Sequence, residues 1–203
     1  MTIDDIMQAA PVIPVLVLDN DIDPFTLAET LVGAGLPVLE VTLRTPFALD
    51  AIRAMASVPG AIVGAGTVLN SAMLDKALAA GSRFIVSPGL TENLGRAAIA
   101  SGMPFLPGVA SAGDIMRGLD LGLDRFKFFP AEAAGGLKAL NSLAGPFDAV
   151  RFCPTGGITL DNAPTWLAHP SVRCIGGSWI CKAGDTDITA IEKRARAAAH
   201  IRN

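Results

Sequence analysis

The chain has 203 residues and 20.9 kDa, enough for one domain with a sizeable core and too little for two full enzyme domains side by side. Hydrophobic residues make up 51% of it, charged residues 17%, and the mean hydropathy is +0.47, a balance that excludes intrinsic disorder. Sixteen basic residues against nineteen acidic ones give a formal charge of -3 with no basic stripe, so nucleic acid is not an expected partner while small anions are.

Met1-Thr2-Ile3-Asp4-Asp5 lacks the basic and apolar regions of a secretory signal, and a cytoplasmic location is expected. Ile3 to Ala10 reads as an extra helix ahead of the first strand. The longest mostly apolar run, Ala9 to Leu18, is interrupted by Pro11 and Pro14 and falls short of the roughly 20 residues needed to cross a bilayer. No membrane partner is expected.

Eight β-rich runs then follow: Val12–Leu18, Pro37–Leu43, Ala61–Val68, Phe84–Ser87, Pro104–Val109, Arg125–Phe129, Val150–Cys153 and Val172–Gly176. Their starts are 20 to 25 residues apart, the size of one compact βα unit. Val12-Ile13-Pro14-Val15-Leu16-Val17-Leu18 is apolar on both alternating faces, as parallel strands covered on both sides are. Helical patterns separate the runs. Asp23-Pro24 offers an N-cap and first helical residue before Ala28, Leu31, Val32 and Leu36. Thr45-Pro46 offers the same before Ala48, Ala51, Ile52 and Met55. Leu74/Ala77/Leu78, Leu94/Ala97/Ala98, Ile115/Leu119, Leu137/Leu140/Leu143 and Ile188/Ile191/Ala195 supply five more apolar stripes. Pro164 limits Leu160–Leu167 to a short helix.

Strands alternating with helices admit a closed (β/α)8 barrel or an open doubly wound sheet. Even unit lengths, and polar and glycine residues gathered at strand C-termini, favour one barrel domain over residues 1–203 with the N-terminal helix capping its bottom. Cys153, Cys174 and Cys181 show no C-x-x-C spacing and read as buried free thiols.

The strand C-termini carry the residues capable of chemistry. Of five lysines, Lys76, Lys138, Lys182 and Lys193 fall on helices or loops, whereas Lys127 lies inside Arg125-Phe126-Lys127-Phe128-Phe129. Alternation turns Lys127 away from Phe126 and Phe128, into the barrel. Burial penalises an ammonium and favours the neutral amine that attacks a carbonyl to form a Schiff base. A core salt bridge to Glu40 is the competing reading. Glu40 and Thr42 share a strand face with Arg44 at its end, a carboxylate for proton transfer and a fork for a substrate carboxylate, or else a plain Glu40–Arg44 ion pair. Gly156-Gly157 and Gly176-Gly177-Ser178 follow the last two strands, where such barrels bind phosphate; tight turns are the alternative. Gly64-Ala65-Gly66-Thr67 lacks the third glycine of a dinucleotide fingerprint. His169 and His200 stand away from the strand ends, which disfavours metal catalysis.

Glu40-Val41-Thr42-Leu43-Arg44-Thr45, Gly64-Ala65-Gly66-Thr67-Val68, Val86-Ser87-Pro88-Gly89, Lys127-Phe128-Phe129-Pro130-Ala131-Glu132, Pro154-Thr155-Gly156-Gly157-Ile158 and Gly176-Gly177-Ser178-Trp179 together resemble the 2-keto-3-deoxy-6-phosphogluconate (KDPG) and 4-hydroxy-2-oxoglutarate aldolases. The resemblance spans nearly the whole chain. It implies a metal-independent, cofactor-free class I aldolase in a barrel, usually a homotrimer, that cleaves KDPG to pyruvate and glyceraldehyde 3-phosphate. In that reading Lys127 matches the Schiff-base lysine and Glu40 the proton-transfer residue. Arg44 and Thr67 match positions around the pyruvate carboxylate, Pro88 packs near the substrate, and Gly156, Gly157 and Ser178 match the phosphate site. Thr155, just before the Gly-Gly turn, is where the substrate C4 hydroxyl would fall. Val109-Ala110-Ser111-Ala112-Gly113-Asp114 departs from relatives, which often carry a Thr/Pro/Ser-rich turn ending in Glu. Open alternatives are the galactonate epimer or 4-hydroxy-2-oxoglutarate as substrate, a non-catalytic sugar-phosphate-binding barrel, and a metal-dependent epimerase.

Overall fold

The computed structural model describes residues 1–201; Arg202 and Asn203, the end of the expected domain, lie outside the described residues. Helix α1 (Ile3–Gln8) opens the chain, held by a reciprocal cap between Thr2 and Asp5. Parallel strands and helices then alternate: β1 (Val12–Leu16), α2 (Pro24–Gly33), β2 (Val38–Thr42), α3 (Ala48–Ala56), β3 (Ile62–Gly66), α4 (Ser71–Ala79), β4 (Ile85–Val86) and α5 (Glu92–Ala100). The second half continues with β5 (Phe105–Leu106), β6 (Gly108–Val109), α6 (Ala112–Asp120), β7 (Arg125–Phe128), α7 (Gly136–Ala144), β8 (Arg151–Pro154), α8 (Ala163–Leu167), β9 (Ile175–Gly177) and α9 (Ile188–Ala199).

The strands form an α/β fold with two parallel sheets, ordered β5-β4-β3-β2-β1-β9 and β6-β7-β8. The expected fifth run, Pro104–Val109, is divided at Pro107, which lacks the N–H a continuous ladder needs. Its first half pairs with β4 and its second with β7. Single bridges Phe152↔Val172 and Thr155↔Gly176 link the β8 side to the β9 side. The expected run beginning at Val172 therefore enters as one bridge before β9 forms at Ile175.

Two apolar clusters occupy the two sides of the strands. The larger lies between strands and helices and includes Phe126, Phe128, Leu31, Ile52 and Trp166. The smaller gathers Ile13, Val38, Phe84, Val86, Leu106, Cys153 and Cys174 around Ile6 and Met7 of α1. Strand alternation shows plainly in β7. Phe126 and Phe128 join the helix-side cluster, while Arg125 reaches Asp4 of α1 and Lys127 reaches Glu40.

Two helix expectations need correction. Asp23 caps α2 through the Thr26 N–H at 2.8 Å with Pro24 in the first turn, but Thr45 does not cap α3. The Thr45 hydroxyl donates to the Leu18 carbonyl instead, tying the exit of β2 to that of β1, and α3 starts at Ala48 without a side-chain cap. On α6, Ile115 is buried but Leu119 is 41% exposed. Gly118 takes the covered position instead: a Cβ there would stand 2.3 Å from the Phe126 ring, so the helix packs its bare backbone against that ring. The divergent 109–114 segment has a local explanation: Ser111 and Asp114 form a reciprocal cap for α6. Burial raises the Asp114 carboxyl, and hydrogen bonds from Ala110, Ser111 and Arg117 outweigh it and hold the group below its usual range.

Candidate active site

Lys127 on β7 and Glu40 on β2 meet above the inner cluster. The lysine is 6% exposed and the glutamate 3%, and Nζ lies 3.0 Å from Oε1 and 3.3 Å from Oε2. Their contact joins strands whose residues are 87 apart in sequence. It realises the expected core salt bridge and, at the same distance, permits direct proton transfer between carboxyl and amine. Nζ also stands 5.3 Å over the Phe129 ring. The alternative Glu40–Arg44 ion pair does not form, because the Glu40 carboxylate turns inward to Lys127 whereas Arg44 is exposed at the strand end. Thr42 is buried and donates to the Leu16 carbonyl at 2.9 Å, a cross-strand tie. Lys76, Lys138, Lys182 and Lys193 are exposed.

A cavity of about 260 Å³ opens on the lysine and is lined by Val15, Val17, Arg44, Lys127, Phe129, Thr155, Gly156 and Ser178. Four of the candidate residues thus gather around Lys127 of the Lys127–Glu40 pair: Arg44, Thr155, Gly156 and Ser178. Gly157 follows immediately, with φ +79° after φ +103° at Gly156. A Cβ on Gly157 would stand 2.7 Å from Cβ and Cγ of Glu132, so only glycine fits both the backbone and the space. Among the described residues, the N–H groups of Gly156, Gly157 and Ser178 donate to no backbone or side-chain acceptor. Such unspent donors suit an anion.

Thr67 and Pro88 do not line this cavity. Thr67 is half-buried and has φ +58°, the one non-glycine residue with positive φ among those described, and such strain gathers at functional sites. Pro88 is exposed and lines a neighbouring cavity of about 330 Å³ with Val68, Leu69, Leu90 and Leu94. Val15, Val17 and Phe129 line the cavity without being candidate site residues on the sequence. Phe129 follows Lys127 by two residues, just past the end of β7, so alternation carried a signal for it; Val15 is a buried residue of β1 and the half-buried Val17 follows that strand, neither of a distinctive residue type.

The remaining titratable groups stay local. The three cysteines are free and buried as expected, and burial pushes the Cys181 thiol up to about 11. His169 bonds Asn141 at 2.8 Å and accepts from the Ser171 N–H, with burial lowering its pKa. Among the described residues no three His, Cys, Asp or Glu side chains gather as metal ligands.

The model of the KDPG and KHG aldolases matches residues 3–194. The chain belongs to this family. The 2-dehydro-3-deoxy-phosphogluconate aldolase of Zymomonas mobilis is 61% identical over 198 residues, covering 96% of this chain and 95% of that one. The KHG/KDPG aldolase of Escherichia coli K12 is 52% identical, covering 95% and 93%. A crystal structure of the Zymomonas mobilis enzyme with 3-phosphoglycerate superposes with a TM-score of 0.96 at 58% identity, covering 99% of this chain and 96% of that one. A Legionella pneumophila KDPG aldolase, with pyruvate captured as a covalent carbinolamine, superposes with a TM-score of 0.93 at 42% identity and 98% coverage of both chains. The motifs that suggested the resemblance are therefore those of a family member along its length.

Proposed function

We propose that the chain is a class I aldolase cleaving 2-dehydro-3-deoxy-6-phosphogluconate to pyruvate and glyceraldehyde 3-phosphate, with Lys127 as nucleophile and Glu40 as proton carrier. The observation that carries the roles is the buried 3.0 Å contact between Lys127 Nζ and Glu40 Oε1 beside an open cavity. Proton transfer from ammonium to carboxylate leaves a neutral amine, which adds to the C2 carbonyl to form a carbinolamine. Glu40 then protonates the departing hydroxyl, water leaves, and a protonated imine remains. The C4 hydroxyl gives its proton to the Glu40 carboxylate as the C3–C4 electron pair moves into the iminium, producing the aldehyde and a neutral enamine. Protonation of the enamine at C3 and hydrolysis of the imine release pyruvate and restore the lysine. The iminium is the electron sink that a Lewis acid would otherwise supply.

Arg44 and Thr67 are assigned to the keto-acid carboxylate and Pro88 to packing near the substrate. The free N–H groups of Gly156 and Gly157, with Ser178, are assigned to the phosphate, and Thr155 to the C4 hydroxyl between the two ends. One barrel domain over residues 1–203, closed as (β/α)8 with α1 filling its bottom, accords with the strand order and with Ile6 and Met7 inside the inner cluster. A homotrimer is the expected assembly, checked by light scattering. A phosphorylated keto acid does not cross a bilayer unaided, which favours a cytoplasmic site of action.

A coupled assay for pyruvate release from KDPG in the presence of EDTA tests the activity. Incubation with pyruvate and borohydride, followed by peptide mass spectrometry, tests the nucleophile. The adduct is expected on Lys127 and absent in Lys127→Ala. Label on Lys138 or Lys182 refutes the assignment, and no covalent mass at all returns the chain to a sugar-phosphate-binding barrel. Cleavage of 4-hydroxy-2-oxoglutarate in the same assay tests the second substrate, which has no phosphate and would use the Lys127–Glu40 pair without the glycine turn.

A further inference from the structure

Glu132 has no part in the chemistry above, yet it grips the glycine turn from several sides. Its N–H donates to the Gly156 carbonyl at 3.1 Å, and the preceding Ala131 N–H donates to the Thr155 carbonyl at 2.8 Å. Gly157 folds over its Cβ and Cγ at a distance no side chain could occupy. Glu132 Oε1 then accepts two further bonds, from Trp166 Nε1 at 2.9 Å and Asn162 Nδ2 at 3.1 Å. Asn162 in turn accepts the Thr159 N–H through Oδ1 at 2.8 Å. Main chain and side chain of one residue thereby hold the stem of the 155–162 segment and its far end on α8. Trp166 is buried and has a single polar atom, so its N–H requires this acceptor.

A carboxylate beside an anion site is electrostatically unfavourable, and its retention needs another reason. We infer that Glu132 is a positioning residue that sets the Gly156–Gly157 turn for the substrate phosphate by accepting hydrogen bonds from Trp166 and Asn162. This rests on the assignment of that turn to the phosphate. Hydrogen-bond acceptance, and not charge, is the operative property, so glutamine can replace it and alanine cannot.

The test compares KM for KDPG, inhibition by inorganic phosphate and deuterium exchange at the pyruvate methyl, which needs the Lys127–Glu40 pair but no phosphate contact. Glu132→Ala should raise both KM and the inhibition constant of phosphate by about tenfold or more, the scale on which a displaced positioning group costs function. Exchange should stay within a few-fold of wild type, and Glu132→Gln should resemble wild type in all three. Equal loss of exchange, unchanged KM, or a glutamine variant as impaired as alanine overturns the inference. Should Glu132→Ala not fold, Asn162→Ala removes one of the two grips while leaving Trp166 its acceptor. It should shift KM in the same direction, and no shift refutes the proposal. If wild type is not competitively inhibited by phosphate, or Gly157→Val leaves that inhibition unchanged, the phosphate assignment fails and takes this inference with it. Inhibition that responds to Gly157 but not to Glu132 removes the inference alone.

Discussion

Gly66 and Glu40 lie so close that a Cβ on Gly66 would stand 2.3 Å from Glu40 Oε1 and 2.7 Å from its Cγ. Gly66 pairs with Thr42 across the β2–β3 ladder, which leaves the adjoining space to the carboxylate. Its lack of a side chain thereby determines where the proton carrier can rest against Lys127. Gly66→Ala is expected to fold, as judged by circular dichroism, yet to lose turnover by about 10²-fold, as small misplacements of reacting groups do. Near-normal turnover would show that Glu40 finds its position by other means.

Glu40→Gln preserves shape and can still accept a hydrogen bond from Lys127, but it cannot hold a proton in transit. Turnover should fall by roughly 10²–10⁴-fold, the usual worth of a positioned acid–base group, with exchange at the pyruvate methyl falling alongside. Steady-state rates within a few-fold of wild type would reduce Glu40 to an ion-pair partner.

The glycine turn offers a separable readout. Valine at position 157 meets both a φ of +79° and the Glu132 side chain, so the turn must shift. Gly157→Val is expected to raise KM for the phosphorylated substrate while borohydride trapping of pyruvate on Lys127 persists. Equal damage to trapping would mean that the turn only supports the fold.

Thr155 has a loosely engaged hydroxyl, 3.4 Å from the Cys153 carbonyl and 3.9 Å from its sulfur. Such a group remains free to meet the substrate between Lys127 and the glycine turn. A net hydrogen bond contributes about 0.5–1.5 kcal/mol and an unpaired buried partner costs about 1–3 kcal/mol, enough for one to two orders of magnitude in epimer selectivity. Thr155→Val should lower kcat/KM for the gluconate-derived substrate and leave the galactonate-derived epimer little changed. A parallel loss for both would assign Thr155 to support of the turn.

Periodicity by itself determined much of this protein. Alternation along Arg125–Phe129 sent Lys127 one way and Phe126 and Phe128 the other, and the structure keeps that division. Asp23-Pro24 announced the start of α2 because capping involves only neighbours along the chain. The six motifs, in their order, carried the family.

Other features belong to the tertiary structure alone. Alternation decides the face a side chain takes but not what stands opposite, so the choice between Arg44 and Lys127 as partner of Glu40 awaited the fold that brings the side chains of β2 and β7, strands of two different sheets, together. Thr45 looked like a cap, but the Leu18 carbonyl, brought near only by the folded chain, claimed its hydroxyl. Thr67 and Pro88 carry family motifs yet lie outside the Lys127 cavity, while Val15, Val17 and Phe129 enter it without any distinctive residue type. Local sequence sets direction along and across each element. Register between strands distant in sequence sets who meets whom, because it results from the simultaneous packing of all the helices on the sheet.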